Sequence, residues 1–167
     1  MLFETERLYV TRWMKGNLNS LYELYNDEAV KEFINPKLTI EETEHIFEKQ
    51  LNDYEENFPF GRYFIVEKDT NDFIGLLLVK ELEGNTNVEI GYSLIKDHWK
   101  KGYATEIVQE GVSWLFSLNK FSTIYAVTDP RNINSQHVLD KCGFSPDQLM
   151  ERNRHELYFS LSRENSC

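Results

Sequence analysis

The chain has 167 residues, 41% of them hydrophobic and 14% aromatic, enough for one globular core that buries roughly two-thirds of the extended-chain surface. Lysine and arginine number 18 against 28 acidic residues, a net charge of −10, which argues against a nucleic-acid surface and favours cationic partners. No stretch is long and apolar enough to span a bilayer, the opening MLFETERLYV lacks the layout of a secretion signal, and Cys142 and Cys167 offer neither a disulfide framework nor zinc-ligand spacing. The chain therefore reads as a soluble cytosolic protein with reduced thiols, forming a single domain over residues 1–167.

Glu6–Trp13 is β-rich and partly alternating, with Leu8 and Val10 on one side and Tyr9 and Thr11 on the other, and is read as the first strand. NLNSLYELYNDEAV then places Leu18, Leu21 and Leu24 or Tyr25 at helical spacing. TIEETEHIFEKQLNDYEENF does the same with Ile46, Phe47, Leu51 and Tyr54, and opens on a Thr39–Glu42 capping box. From Arg62 the period changes to that of strands: RYFIVEK, FIGLLLVKEL and VEIGYSLI, separated by the turn-forming DTND and GNTN, predict an antiparallel meander. A long helix follows, with Ala104, Ile107, Val108, Gly111, Val112 and Leu115 on one apolar face. FSTIYAVT is a strand, NSQHVLDKCGF a short helix capped at Gly143, and HELYFSLS a final strand. This order predicts a mixed α/β sheet packed between helices, in which VEIGYSLI and FSTIYAVT become parallel neighbours joined by the long helix. A ligand crevice is expected at the carboxyl ends of those two strands.

The stretch HWKKGYATE stands where the crossover helix begins, and lysines there have the wrong sign for the helix dipole. A strand, a loop, a glycine and a helix N-terminus form the general layout of a phosphate cradle, because consecutive N–H groups converge there. Gly102 would let an anion approach the backbone, Ala104 keeps the first turn slim, and Lys100 and Lys101 add charge. Neither G-x-G-x-x-G nor G-x-x-x-x-G-K-S/T is present, so a Rossmann site and a P-loop are poorly supported.

The same stretch resembles the acetyl-CoA pyrophosphate loop of the GNAT superfamily of N-acetyltransferases, Gln/Arg-x-x-Gly-x-Gly/Ala, which falls on Trp99, Lys100, Lys101, Gly102, Tyr103 and Ala104. Trp99 departs from the Gln or Arg, in the manner of the RimJ/RimL-type branch, whose loop continues as here through Thr105. FETERLYVTRW, VEIGYSL and NINSQHVLDKCGF resemble further segments of that branch, in its order and over nearly the whole chain. The resemblance implies a GNAT-like fold: a central, mostly antiparallel sheet, flanked by helices, with a splayed parallel strand pair. It further implies acetyl-CoA as co-substrate, bound by the N–H groups of Lys100–Thr105, with the pantetheine arm paired to the backbone of Leu94 and Ile95 and with Asn132 on its amides.

An amine acceptor is mostly protonated near neutral pH, so its attack needs a base. Glu89, inside the otherwise apolar VEIGY, is the candidate, acting through a water, with Tyr92 and Glu67 as weaker competitors. For the departing thiolate, some relatives use a tyrosine of the helix after the fifth strand. None is available around Val138 and Leu139, so Ser135, the family's N-x-x-S serine, is taken as the donor, with helix capping as its competing role. The four histidines show no metal pattern, and Cys142 reads as a small buried side chain. The leading expectation is an N-acetyltransferase acting on a small-molecule amine or a protein N-terminus, as a monomer or homodimer, with no metal, nucleic acid or membrane partner. The alternative is a non-catalytic acyl-CoA sensor, which the missing helical tyrosine favours.

Overall fold

The computed structural model describes residues 1–33, 38–82, 86–147 and 156–165. Strands β1 (Phe3–Glu4) and β2 (Leu8–Thr11) are followed by helices α1 (Leu18–Asn26), α2 (Glu28–Lys31) and α3 (Ile40–Asp53). Next come β3 (Gly61–Glu67), β4 (Phe73–Glu81) and β5 (Asn87–Leu94), then α4 (Tyr103–Ser117), β6 (Thr123–Thr128), α5 (Ile133–Lys141), β7 (Ser145–Pro146) and β8 (Leu157–Ser162). They form a sheet of eight strands in the order β1-β2-β3-β4-β5-β6-β8-β7, antiparallel throughout except for the parallel β5–β6 pair. This is the mixed α/β sheet expected from the order of elements, with the meander over β3–β5 and the crossover through α4 as read. Of the GNTN turn at 84–87, residues 84 and 85 lie outside the described residues, as do His155 and Cys167.

Several local signals act as their chemistry dictates. Thr39 Oγ1 accepts from Glu42 N–H at 3.2 Å while Glu42 Oε2 accepts from Thr39 N–H at 2.8 Å, the reciprocal capping box. At the end of α5, Phe144 N–H donates to Leu139 C=O and Gly143 N–H to Asp140 C=O, each at 3.0 Å, with Gly143 at φ 85°, the left-handed cap conformation. One reading is corrected: the run from Asn17 to Val30 is two helices, because Asp27 is extended (ψ 114°) and its Oδ1 accepts from the N–H groups of Ala29 and Val30, starting α2.

The two sheet faces are covered differently. On one, Phe47 of α3 stacks on Trp13 at 5.3 Å, which in turn meets Phe64 of β3 at 5.6 Å. On the other, α4 lies so close that a Cβ added to Gly111 would come within 2.8 Å of Ile90 of β5. The α4 face predicted from spacing is the buried one, since Ile107, Val108, Gly111, Val112 and Leu115 are all shielded. Among the described residues no helix is long and apolar enough to cross a membrane.

Candidate active site

The parallel pairing of β5 with β6 runs through Asn87↔Thr123, Val88↔Ile124 and Glu89↔Tyr125 and stops there, although β5 continues to Leu94 and β6 to Thr128. The strands part beyond that point, and a cavity of about 490 Å³ opens between their carboxyl ends. Tyr92 and Leu94 line it from the α4 face, while Ser93, whose register partner Leu76 itself faces Phe64, belongs to the α3 face. Val30 and Phe33, at and just after α2, close the far side. The cavity thus passes through the sheet where the two strands separate.

The backbone of β5 is aimed by its pairing. Ile95 N–H donates to Ile74 C=O at 2.9 Å and Leu94 lies opposite Gly75, so by antiparallel alternation Leu94 turns its own N–H and C=O away from β4, toward the gap. The Leu94 carbonyl is held by Trp99 Nε1–H at 2.7 Å. The expectation that Leu94 and Ile95 both offer backbone to a ligand is therefore narrowed, because the Ile95 N–H is already used within the sheet. Gly75 makes the tight approach possible, since a Cβ there would sit 2.1 Å from Ser93 O.

After one 3₁₀ turn over Lys96–His98, Lys100 (φ 60°) and Gly102 (φ 85°) both take left-handed conformations, and α4 begins with no side-chain cap. Its first intrahelical bond is Glu106 N–H to Gly102 C=O at 3.1 Å, so the N–H groups of Tyr103, Ala104 and Thr105 have no helical carbonyl behind them. A loop of this shape ending on a free helix N-terminus fits a phosphate group. Trp99, Lys100, Gly102, Tyr103, Ala104 and Thr105 line the cavity, whereas Lys101 is exposed outside it. His98 lines it too, and its Nδ1 is shielded from solvent without a hydrogen-bond partner.

On the opposite wall, Asn132 is the N-cap of α5, its Oδ1 accepting from Ser135 N–H at 3.1 Å. The capping role considered for Ser135 therefore belongs to Asn132. Ser135 Oγ instead accepts from the Tyr92 hydroxyl at 3.3 Å, and both residues line the cavity. Burial pushes the Tyr92 phenol above its ordinary pKa, an effect that the bond to Ser135 opposes, so it stays protonated at neutral pH. Burial likewise pushes the Cys142 thiol up to about 11, which leaves it a poor nucleophile.

Of the two catalytic candidates, Glu89 and Ser135, Glu89 is the one set apart from the cavity. It belongs to the last paired position before the strands part, opposite Lys80 and Tyr125, on the α3 face. Its side chain is only 14% exposed and its carboxylate is 3.6 Å from Lys80 Nζ, yet it does not line the cavity. Ser93 lies four positions further along the strand, roughly 13 Å away. Tyr92, a competitor for the base by sequence, instead lies on the Ser135 side, as strand parity with Ile90 and Leu94 dictates; Val30, Phe33 and Thr128 carry no sequence signal of their own.

A mostly antiparallel sheet with one parallel pair that splays over a cradle of this kind defines an N-acetyltransferase fold, and its donor is implied to be acetyl-CoA. The chain belongs to the GNAT acetyltransferase family, whose acetyltransferase (GNAT) domain matches residues 7–145. The uncharacterized N-acetyltransferase p20 of Bacillus licheniformis is 27% identical over 149 residues, 87% of this chain and 83% of that protein. Among solved structures, spermidine N-acetyltransferase from Vibrio cholerae in complex with CoA and spermine superposes with a TM-score of 0.79 at 18% identity, covering 96% of this chain and 98% of that one. The ribosomal-protein-S5-alanine acetyltransferase of Vibrio fischeri does so with a TM-score of 0.78 at 19% identity, covering 99% and 98%.

Proposed function

We propose that the protein moves an acetyl group from acetyl-CoA to a primary amine by direct attack in a ternary complex, as an enzyme of the RimJ/RimL type. The observation that carries this is the cavity through the splayed strands: the cradle at Gly102–Thr105 opens on it from one side and Val30 and Phe33 from the other. Donor and acceptor can therefore meet in the gap without a covalent enzyme intermediate, in keeping with a Cys142 thiol pushed up to about 11.

In this reading the Leu94 N–H polarises the thioester carbonyl while the amine nitrogen bonds to its carbon. The C–S bond breaks, and the thiolate takes a proton from the Ser135 hydroxyl, which the Tyr92 O–H resupplies, solvent returning the proton to Tyr92 once CoA has left. The proton shed by the amine passes through water to Glu89 at the point where the strands part, since direct transfer would need about 3 Å. The Tyr92–Ser135 pair answers the missing helical tyrosine and so weakens the sensor reading. An acceptor of cationic character suits the net charge of −10, and the named relatives that act on spermidine or a ribosomal protein give precedent for both amine classes.

The test is initial-velocity kinetics with acetyl-CoA varied against polyamines and N-terminal peptides. Intersecting double-reciprocal lines for either class support the ternary complex, and parallel lines refute it.

A further inference from the structure

Arg7, which directly precedes β2, touches the cradle from the side away from the cavity and is not among the residues that line it. Its Nη1 donates to the Lys101 carbonyl at 3.0 Å, its guanidinium lies 4.5 Å from the centre of the Tyr103 ring, and a Cβ on Gly102 would come within 3.4 Å of its Nη2. The same guanidinium holds Glu106 in the first turn of α4 through Nε at 2.8 Å and Nη2 at 2.6 Å, and the Arg7 main-chain N–H donates to the second carboxylate oxygen at 2.9 Å. Thr5 Oγ1 donates to that oxygen as well. One side chain, about a hundred positions away in sequence, therefore grips three residues of the loop and helix start, Lys101, Tyr103 and Glu106.

Two consequences follow from elementary geometry and charge. A trans peptide points its C=O and N–H in opposite directions, so drawing the Lys101 carbonyl onto Arg7 turns the Gly102 N–H the other way, toward the cavity. Glu106 would otherwise leave a carboxylate one turn from a site meant for an anion, and the Arg7 guanidinium, with Nε and Nη2 both on Oε2, neutralises it. Lysine could not serve both partners, because a single ammonium lacks the planar fork that reaches Lys101 O and Glu106 together.

We propose that Arg7 is a positioning residue for the pyrophosphate of the acyl-CoA donor, holding the 101–102 peptide and Glu106 from behind so that the cradle presents N–H groups and no net negative charge. This rests on the acetyl-CoA reading above. The test is calorimetric titration of wild type, Arg7→Ala and Arg7→Lys with CoA, and with pantetheine, which ends before the pyrophosphate, measured as a competitor of CoA. Both variants should bind CoA about tenfold more weakly, with pantetheine affinity unchanged. If Arg7→Ala does not fold, Arg7→Lys, checked by its melting temperature, decides alone. Wild-type CoA affinity in Arg7→Lys, or an equal loss for both ligands, overturns the proposal. A wild-type protein that does not bind CoA at all instead overturns the acetyl-CoA reading.

Discussion

Ser135 and Asn132 sit three residues apart at the start of α5, and exchanging each for alanine should damage different properties. Asn132 Oδ1 accepts from Ser135 N–H at 3.1 Å, so Asn132→Ala removes a true helix cap, worth about 1 kcal/mol. For a chain of this size that corresponds to a melting temperature lower by about 2–4 °C. Among the described residues Ser135 Oγ has one bond, accepting from Tyr92 at 3.3 Å, longer than the usual O–H···O separation of about 2.8 Å, so its loss should move melting by less than 2 °C or so. The catalytic effects should run the other way: removing a proton donor from the leaving thiolate should lower kcat by roughly 10²–10⁴ fold. Asn132→Ala should keep kcat within a few fold of wild type when assayed well below its melting point. The assay pairs scanning fluorimetry with thiol release from acetyl-CoA at 25 °C. If Ser135→Ala melts as low as Asn132→Ala and turns over like wild type, the serine has no part in expelling the thiolate.

Glu89→Gln should lower kcat by roughly 10²–10⁴ fold at neutral pH and leave the CoA dissociation constant unchanged, and wild-type turnover would assign the proton to bulk water. Gly102→Val should abolish measurable CoA binding, because Gly102 lies at φ 85°, where a β-branched residue is strained, and its side chain would press on the Arg7 guanidinium that holds the loop; CoA affinity equal to wild type in a folded variant refutes the cradle. For Glu106, burial alone would raise the carboxyl, but Thr5 and Arg7 overcome it and hold it below the ordinary 4.5. A depressed carboxyl stabilises the fold fully above that ordinary value, and the contribution is lost as pH falls through the lower folded-state value. Melting curves from pH 6 to about 3 should therefore flatten in Glu106→Gln relative to wild type, and parallel curves would contradict this.

Those parts of the fold that depend on neighbours in sequence were legible from the residues. The Thr39–Glu42 box, the Gly143 cap and the apolar stripe of α4 each rest on contacts within one or two turns, and the order of elements implied the parallel pair. The Asp27 break was hidden because a helical spacing of leucines runs on into Ala29 and Val30, while the decision is made by a carboxylate that caps α2 and also accepts from Lys96 N–H at 3.1 Å. Which of Leu94 and Ile95 offers its N–H depends on the register against β4, and which of Asn132 and Ser135 caps α5 depends on where its first turn starts. Arg7 left no local signal, since all it does for the loop is done across the fold. Its neighbours in sequence only announce a strand.

The central claim, that an amine takes the acetyl group in the gap between β5 and β6, is tested most directly by thiol release from acetyl-CoA with and without a panel of polyamines and N-terminal peptides. Wild-type protein should release thiol in an amine-dependent way, with one acetylated amine per thiol by mass spectrometry, and Gly102→Val should not. If CoA binds to the wild type but no amine on the panel raises release above the Gly102→Val level, the protein is a binder of acyl-CoA and the transferase account is contradicted.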